Sequence, residues 1–300
     1  MPTPRKNPPP PTVHLVAVGN ELLNAETRDT NLAWLIRRIA HRGGRVVRAA
    51  IIPDDFTSIS QEIALARKRK VDLLVTTGGL GPTDDDATLA AIAEALGLSL
   101  LCDKKALAMV KARIAALSKY RRGFPMRLTR ERRRMAFLPS GAMPLLNPVG
   151  VAPGMLLEIG RLRILALPGV PAEMKGIVKE TLKGFWRDFF RGVVFVRKNI
   201  ALRGIPEAEL APFIRRAHKK DLEVYIKSRL KVVGRLKKTR DVPPPQRLPW
   251  LILLHFSVIA GSRSEGRERI ERLIEFLVND LKRRYRYPLH VETRPDKPGR

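Results

Sequence analysis

Cysteine is almost missing from this chain of 300 residues, with Cys102 standing alone. That excludes an internal disulfide framework and a cysteine-built zinc site, and it fits a reducing compartment. Glutamine occurs only at Gln61 and Gln246, a scarcity that leans towards a heat-adapted source. No apolar run approaches the ~20 residues needed to cross a bilayer. The longest, Trp250 to Ala260, is interrupted by His255. The opening MPTPRKNPPPP has no apolar segment of the secretory kind, so a cytoplasmic protein without membrane contact is expected. Acidic side chains are also short: 29 Asp and Glu face 57 Lys and Arg, for a net charge of +28. Such a field attracts phosphate-bearing partners, nucleic acid included, in a salt-dependent way. No recognised nucleic-acid motif accompanies the charge, and an arginine-rich surface of the heat-adapted kind is the plainer reading.

What is present points to a folded protein of about two domains. At 44% hydrophobic the chain can bury a real core. Residues 1–12 are Pro-rich and charged and read as a flexible arm. From Val13 the pattern alternates. Val13–Val18, Arg45–Ile52 and Val71–Thr77 read as strands. Between them lie helical spacings at Leu32, Leu35, Ile36 and Ile39, then at Ile63 and Ala66 behind Ser58 or Ser60 as a cap, then at Leu89, Ile92, Ala93 and Leu96. This order predicts an α/β domain in three layers, an open and mostly parallel sheet between helices.

Lys104–Leu117 reads as a helix, followed by the arginine-rich stretch Tyr120–Arg134. Strands are expected at Ala136–Leu138, Met155–Ile159 and Arg163–Leu167, and a helix from about Ala172 to Phe190. A domain boundary is expected after residue 175, with a linker helix and a smaller α/β domain over 176–292 and a flexible tail over 293–300. In that smaller domain, strands are expected at Val193–Leu202, Leu222–Val233 and Trp250–Ile259, and helices at Glu207–His218 and Gly266–Tyr285. Lys237–Pro249 reads as a charged, Pro-rich loop.

The stretch with the most chemistry in it is Thr76-Thr77-Gly78-Gly79-Leu80-Gly81-Pro82-Thr83-Asp84-Asp85-Asp86-Ala87-Thr88. It leaves a buried strand and opens a helix. Its glycines let a ligand approach the backbone, and free N–H groups at a helix start favour a phosphate. Thr83 is a helix cap or a donor to a phosphate oxygen. Three carboxylates beside a phosphate call for a divalent cation between them. Asp54 or Asp55, in the Pro-Asp turn after Ile52, is expected at the same strand ends. Gly19-Asn20-Glu21 and Asp29-Thr30-Asn31 belong to the same edge, Thr30 being equally good as an ordinary helix cap. The arginines of 121–134 form either a solvated face or a loop closing over an anion.

Taken in order, GNELL (19–23), DTN (29–31), IIPDD (51–55), TTGGLGPTDDDAT (76–88), LPSGAMPLLNPVGVAPGM (138–155) and LPGVPAEM (167–174) resemble the MoaB/Mog-type molybdopterin-binding domain. They resemble more specifically the N-terminal domain of the competence/damage-inducible protein A (CinA) family. The resemblance covers most of residues 13–175. VYIKS at Val224–Ser228 is similar, less distinctly, to the smaller domain of archaeal-type relatives. It implies catalytic or metal-binding roles for Asp54 and Asp86, with Asp85 as a further metal ligand. It also implies a phosphate or substrate site built from Gly78, Gly79, Gly81, Thr83, Asn147 and Gly169. The implied activity is metal-dependent hydrolysis, with Mg²⁺, Mn²⁺ or Co²⁺, of ADP-ribose and similar dinucleotide pyrophosphates. Mog-type relatives instead imply molybdopterin binding or adenylylation. A non-catalytic nucleic-acid-binding role is the third alternative. A homo-oligomer is expected, as in relatives.

Two details qualify the match. Asn20 stands where the family usually has Asp, which removes one carboxylate. Leu80 gives Gly-Leu-Gly rather than the Gly-Thr-Gly of Mog-type enzymes, which favours the CinA branch. No counterpart of the nicotinamide-nucleotide amidase domain of many bacterial relatives is visible, so amidase activity is not implied.

Overall fold

A computed structural model describes residues 9–120, 127–203, 205–232, 250–285 and 290–294. The chain divides into two compact units that meet in sequence between Arg191 and Gly192. None of the described helices is long and apolar enough to cross a membrane.

The first unit follows the alternation in the sequence. It runs β1 (Thr12–Val18), α1 (Asn20–Leu23), α2 (Asn31–Ala40), β2 (Arg45–Ile52), α3 (Phe56–Lys68), β3 (Leu73–Thr77), α4 (Thr88–Ala95), β4 (Leu100–Cys102), α5 (Lys104–Tyr120), α6 (Arg130–Arg134), β5 (Phe137–Pro139), β6 (Met143–Leu145), β7 (Gly154–Ile159), β8 (Leu162–Leu167), α7 (Pro171–Gly176) and α8 (Lys183–Phe189). Six strands form one sheet in the order β2-β1-β3-β8-β7-β6. The first four are parallel, and β7 and β6 run antiparallel at one edge. β1 and β3 are buried over almost their whole length, as strands covered on both faces must be. Val16, Leu74, Ile92, Val110, Met155 and Ile164 share one core with α3 and α4.

Several local expectations give way to stronger physics. Helix α3 is capped by Asp55, which accepts from the Ser58 N–H at 2.7 Å, so neither serine is the cap. The carboxylate of Asp29 accepts from the Leu32 N–H at 3.0 Å, whereas Thr30 supplies no side-chain cap to α2. Thr12 is not part of an arm. It begins β1 and donates through its N–H and hydroxyl to Asp72, at 2.8 and 2.7 Å. The single helix expected over 172–190 is broken by a π-helical turn at Ile177–Thr181. Residues 176–191 are not a linker either, because they pack into the first unit. Trp186 is buried and stacks on Phe190 at 5.5 Å, and a Cβ on Gly44 would strike the Phe190 ring.

The second unit reads β9 (Val194–Arg203), α9 (Glu207–Lys220), β10 (Tyr225–Val232), β11 (Trp250–Ala260), α10 (Arg263–Arg284) and β12 (His290–Arg294). Its sheet order is β10-β11-β9-β12, antiparallel throughout. Among the described elements the order is β-α-β-β-α-β, that of a split βαβ unit. Residues 293 and 294, expected in a tail, close β12. The loop 237–249 and the arm and tail residues 1–8 and 295–300 lie outside the described residues.

One polar cluster in the first unit is largely buried, with Arg48 at its partly exposed edge. His14, fully buried on β1, meets Glu62 through Nε2 at 2.6 Å, and Arg48 grips the same carboxylate through Nε and Nη2 at 2.9 and 2.6 Å. Burial holds His14 below its ordinary range, and the Arg48 contact holds Glu62 below its own. Both depressed groups stabilise the fold above their unfolded values, and that stability is lost as pH falls through the folded ones. The first unit should therefore lose stability on acidification through the ordinary histidine and then glutamate ranges. Glu62→Gln should cost about 2 kcal/mol, moderated by the partial exposure of Arg48. Thermal unfolding at pH 7, 5 and 4 checks both, and a variant whose midpoint equals wild type at pH 7 would refute the cluster's role.

Candidate active site

Four parallel strands end at one edge, and a cleft of about 850 Å³ opens beyond them. Val18, Asp54, Gly78 and Pro168, each at or just after one of those strand ends, all line it. The carboxyl edge of an open α/β sheet is where ligands gather.

The glycine loop is shaped by the need to pass close to its neighbours. Gly78 (φ 110°) and Gly79 (φ 66°) both adopt left-handed backbone conformations. A Cβ on Gly78 would strike the Val18 carbonyl, and one on Gly79 would strike the Thr88 hydroxyl. The Gly78 N–H donates to the Leu167 carbonyl at 3.0 Å, so it belongs to the sheet rather than to a ligand. The Thr88 hydroxyl donates back to the Gly78 carbonyl at 3.0 Å. Beyond that point the N–H groups of Gly79, Leu80 and Gly81 have no acceptor among the described residues, and all three residues line the cleft. Three consecutive free amides at one bend form a concavity suited to an anion.

The acids that follow take different roles. Asp86 folds under the loop: its Oδ2 accepts from the Thr83 N–H at 2.9 Å and the Thr83 hydroxyl at 2.5 Å, occupying space that a Cβ on Gly81 would need. Thr83 is therefore a loop brace. It is absent from the cleft lining, and it caps no helix because α4 begins after Ala87. Asp85 and Asp86 line the cleft, while Asp84 is almost fully exposed and pairs with Arg134. Of the Pro-Asp pair, Asp54 faces the cleft and Asp55 is spent as the α3 cap. The Asn20 N–H donates to Asp54 at 2.9 Å. Burial, followed by the nearby charges of Glu21, Asp85 and Asp86, raises the Asp54 pKa above the ordinary carboxylate range. Asn20 thus contributes its backbone where its side chain is no carboxylate.

Asn147 does not serve a ligand as expected. It is 1% exposed and its amide is fully spent. Nδ2 donates to the Ala152 carbonyl at 2.8 Å and to Glu173 at 2.6 Å, and Oδ1 accepts from the Val149 and Gly150 N–H groups at 3.0 and 2.8 Å. It shapes the loop whose residues 149–152 form one wall of the cleft. Gly169 does line the cleft, and its carbonyl accepts from Asn31 Nδ2 at 2.7 Å. Glu173, overlooked in the sequence, also lines the cleft and is held by Asn147. The available signal was an acid in the first turn of a Pro-started helix, inside LPGVPAEM. From the arginine stretch, Arg132 reaches the cleft, and residues 121–126 lie outside the described residues. The cleft offers oxygen ligands of the kind a hard divalent cation takes. Among the described residues, however, no three of His, Cys, Asp or Glu are grouped closely enough to hold one.

Residues 14–188 match the family described as a probable molybdopterin binding domain. The chain belongs to that family. Proteins of Pyrobaculum arsenaticum and Caldivirga maquilingensis are each 37% identical to this chain over 270 residues, spanning 90% of it and 94% and 96% of their own lengths. The crystal structure of CinA from Thermoplasma acidophilum, 34% identical, superposes with a TM-score of 0.52 over 58% of this chain and 98% of its own. The MoaB/Mog resemblance carried by the motifs, its CinA leaning and the αβα fold therefore hold, and archaeal relatives extend along nearly the whole chain.

Within the MoaB/Mog domain, Asn147→Ala should remove four hydrogen bonds around a buried group and lower stability by about 3 kcal/mol. Asn147→Asp should do no better, since it sets an oxygen against the Ala152 carbonyl and Glu173. Denaturant titration of both variants tests this, and a stability loss in neither would show that the wall does not depend on Asn147.

Proposed function

We propose that the cleft binds a phosphate- or diphosphate-bearing small molecule and hydrolyses ADP-ribose-like dinucleotide pyrophosphates with a divalent cation. The observation that carries the proposal is that Gly79, Leu80 and Gly81, whose N–H groups have no acceptor among the described residues, line a cleft together with Asp54, Asp85 and Asp86. The amides would receive the non-bridging oxygens and stabilise charge that grows as the phosphorus is attacked. Asp54, with its raised pKa and its orientation fixed by the Asn20 N–H, suits the uptake of a proton from the attacking water. Water then adds to one phosphorus, the bridging P–O bond breaks, and the leaving phosphate departs. Because the protein offers no three-ligand set of its own among the described residues, Asp85 and Asp86 would hold the cation only together with substrate phosphate oxygens and water, and its contribution when bound would be to neutralise the diphosphate and lower the pKa of a water. Arg132, at the rim, adds a guanidinium suited to a phosphate oxygen.

A second reading, molybdopterin binding with or without adenylylation, is supported by the family description and by an apolar wall of Leu117, Met135, Val149 and Val151 that suits a planar ring. Both readings seat a phosphate at the same amides.

Incubation with ADP-ribose and Mg²⁺, Mn²⁺ or Co²⁺ should release AMP. Asp54→Asn and Asp86→Ala should each slow release by about a hundredfold or more. The acidic limb of the rate profile should sit above the ordinary carboxylate range and vanish in Asp54→Asn. Absence of turnover in wild type, or undiminished turnover in both variants, sinks the hydrolase reading. Pterin fluorescence in the purified protein would then favour the second.

A further inference from the structure

The second unit carries a surface that the MoaB/Mog domain does not explain. Alternation along its strands sorts the side chains onto two faces. Val196, Ile200, Ile252, Leu254 and Phe256 pack with Leu210, Phe213, Ile270 and Leu277, so α9 and α10 cover that face. Ile226 on the edge strand β10 packs on the same core. Tyr225, Lys227, Arg229 and Lys231 consequently project from the other face, and all four are exposed, Tyr225 by 59%. Register extends the row inward: Tyr225 lies opposite Ser257 and then Arg197, and Lys227 lies opposite His255 and then Asn199.

The two faces treat charge differently. On the helix side several cations are paired: Arg269 with Asp221 and Glu223, Arg216 with Asp280, Lys198 with Glu271. On the other side Lys227, Arg229 and Lys231 have no acidic partner among the described residues. His255 records the resulting field. Burial and then the charges of Arg229 and Arg197 hold it below its ordinary range. Lysines on an edge strand discourage strand pairing. Three cations spaced roughly 7 Å apart along one face, led by an exposed tyrosine, do more than that.

We propose that this face of the β9–β12 sheet binds single-stranded nucleic acid, with Lys227, Arg229 and Lys231 on successive phosphates and Tyr225 stacked on a base. The repeat of alternate residues along a strand is comparable with that of phosphates along an extended single strand. Leu251 and Ala201, on the same face beside this row, are buried, so the exposed track follows β10, where cations neutralise phosphates and an aromatic ring takes a base. The chain's net charge of +28 supplies the long-range attraction.

The test uses the full chain and a labelled, unstructured oligonucleotide of about twelve residues, read by fluorescence anisotropy over a range of salt. Wild type should bind at roughly physiological salt. The triple variant Lys227→Ala, Arg229→Ala, Lys231→Ala should weaken binding at least tenfold and flatten the slope of log affinity against log salt by about 2. Tyr225→Ala should weaken it about tenfold at unchanged slope. Lys227→Arg with Lys231→Arg should retain binding, as should Lys104→Ala with Lys105→Ala in the first unit. The proposal is overturned if wild type does not bind, if the triple variant binds as wild type does, or if Tyr225→Ala is silent. Equal affinity for heparin or polyglutamate would also overturn it, marking mere polyanion exchange.

Discussion

The first unit depends on how closely three backbone segments approach one another at the carboxyl edge of its sheet. Gly78 sits between the end of β1 and the end of β8, its N–H donated to Leu167 and its missing side chain ceding space to the Val18 carbonyl. Any other residue would push those strand ends apart. The next three amides take no part in the sheet ladder, so the unpaired N–H groups on which the proposed phosphate site relies come with the same packing requirement. The catalytic proposal needs no additional device to create them.

The acids then divide labour by what their local backbone demands. Asp55 and Asp86 lie in stretches rich in carboxylates, yet each is drawn into a turn, one capping a helix and the other bracing the glycine loop. Asp54 is the residue of the set whose charge is least welcome where it stands, being half-withdrawn from water among three other acids. An acid in that position is suited to exchanging a proton, whereas a well-solvated one such as Asp84 is suited to an ion pair.

Much of this was legible beforehand. Hydrophobic alternation and glycine stops located every parallel strand, since buried strands have a strong two-sided apolar signature. The family motifs located the loop and Asp54. Roles that depend on tertiary contacts were not legible. Nothing local reveals that the Asn147 amide is consumed four times over, or that Glu173, in the first turn of α7, is drawn to it. Caps were misassigned because serine, threonine and aspartate compete for the same N–H groups, and Asp55 and Asp29 won on geometry. The break in the helix after residue 176 is likewise invisible to a 3.6-residue period.

The aromatic pair Trp186 and Phe190 has a practical consequence for where the first unit ends. The family motifs run out at Met174, but the ring of Phe190 fills the hollow that Gly44 leaves beside α2. A fragment cut where the motifs stop would expose that socket and the greasy flank of Ile39 to water. An excised, soluble version of the molybdopterin-type half must carry its chain through Arg191.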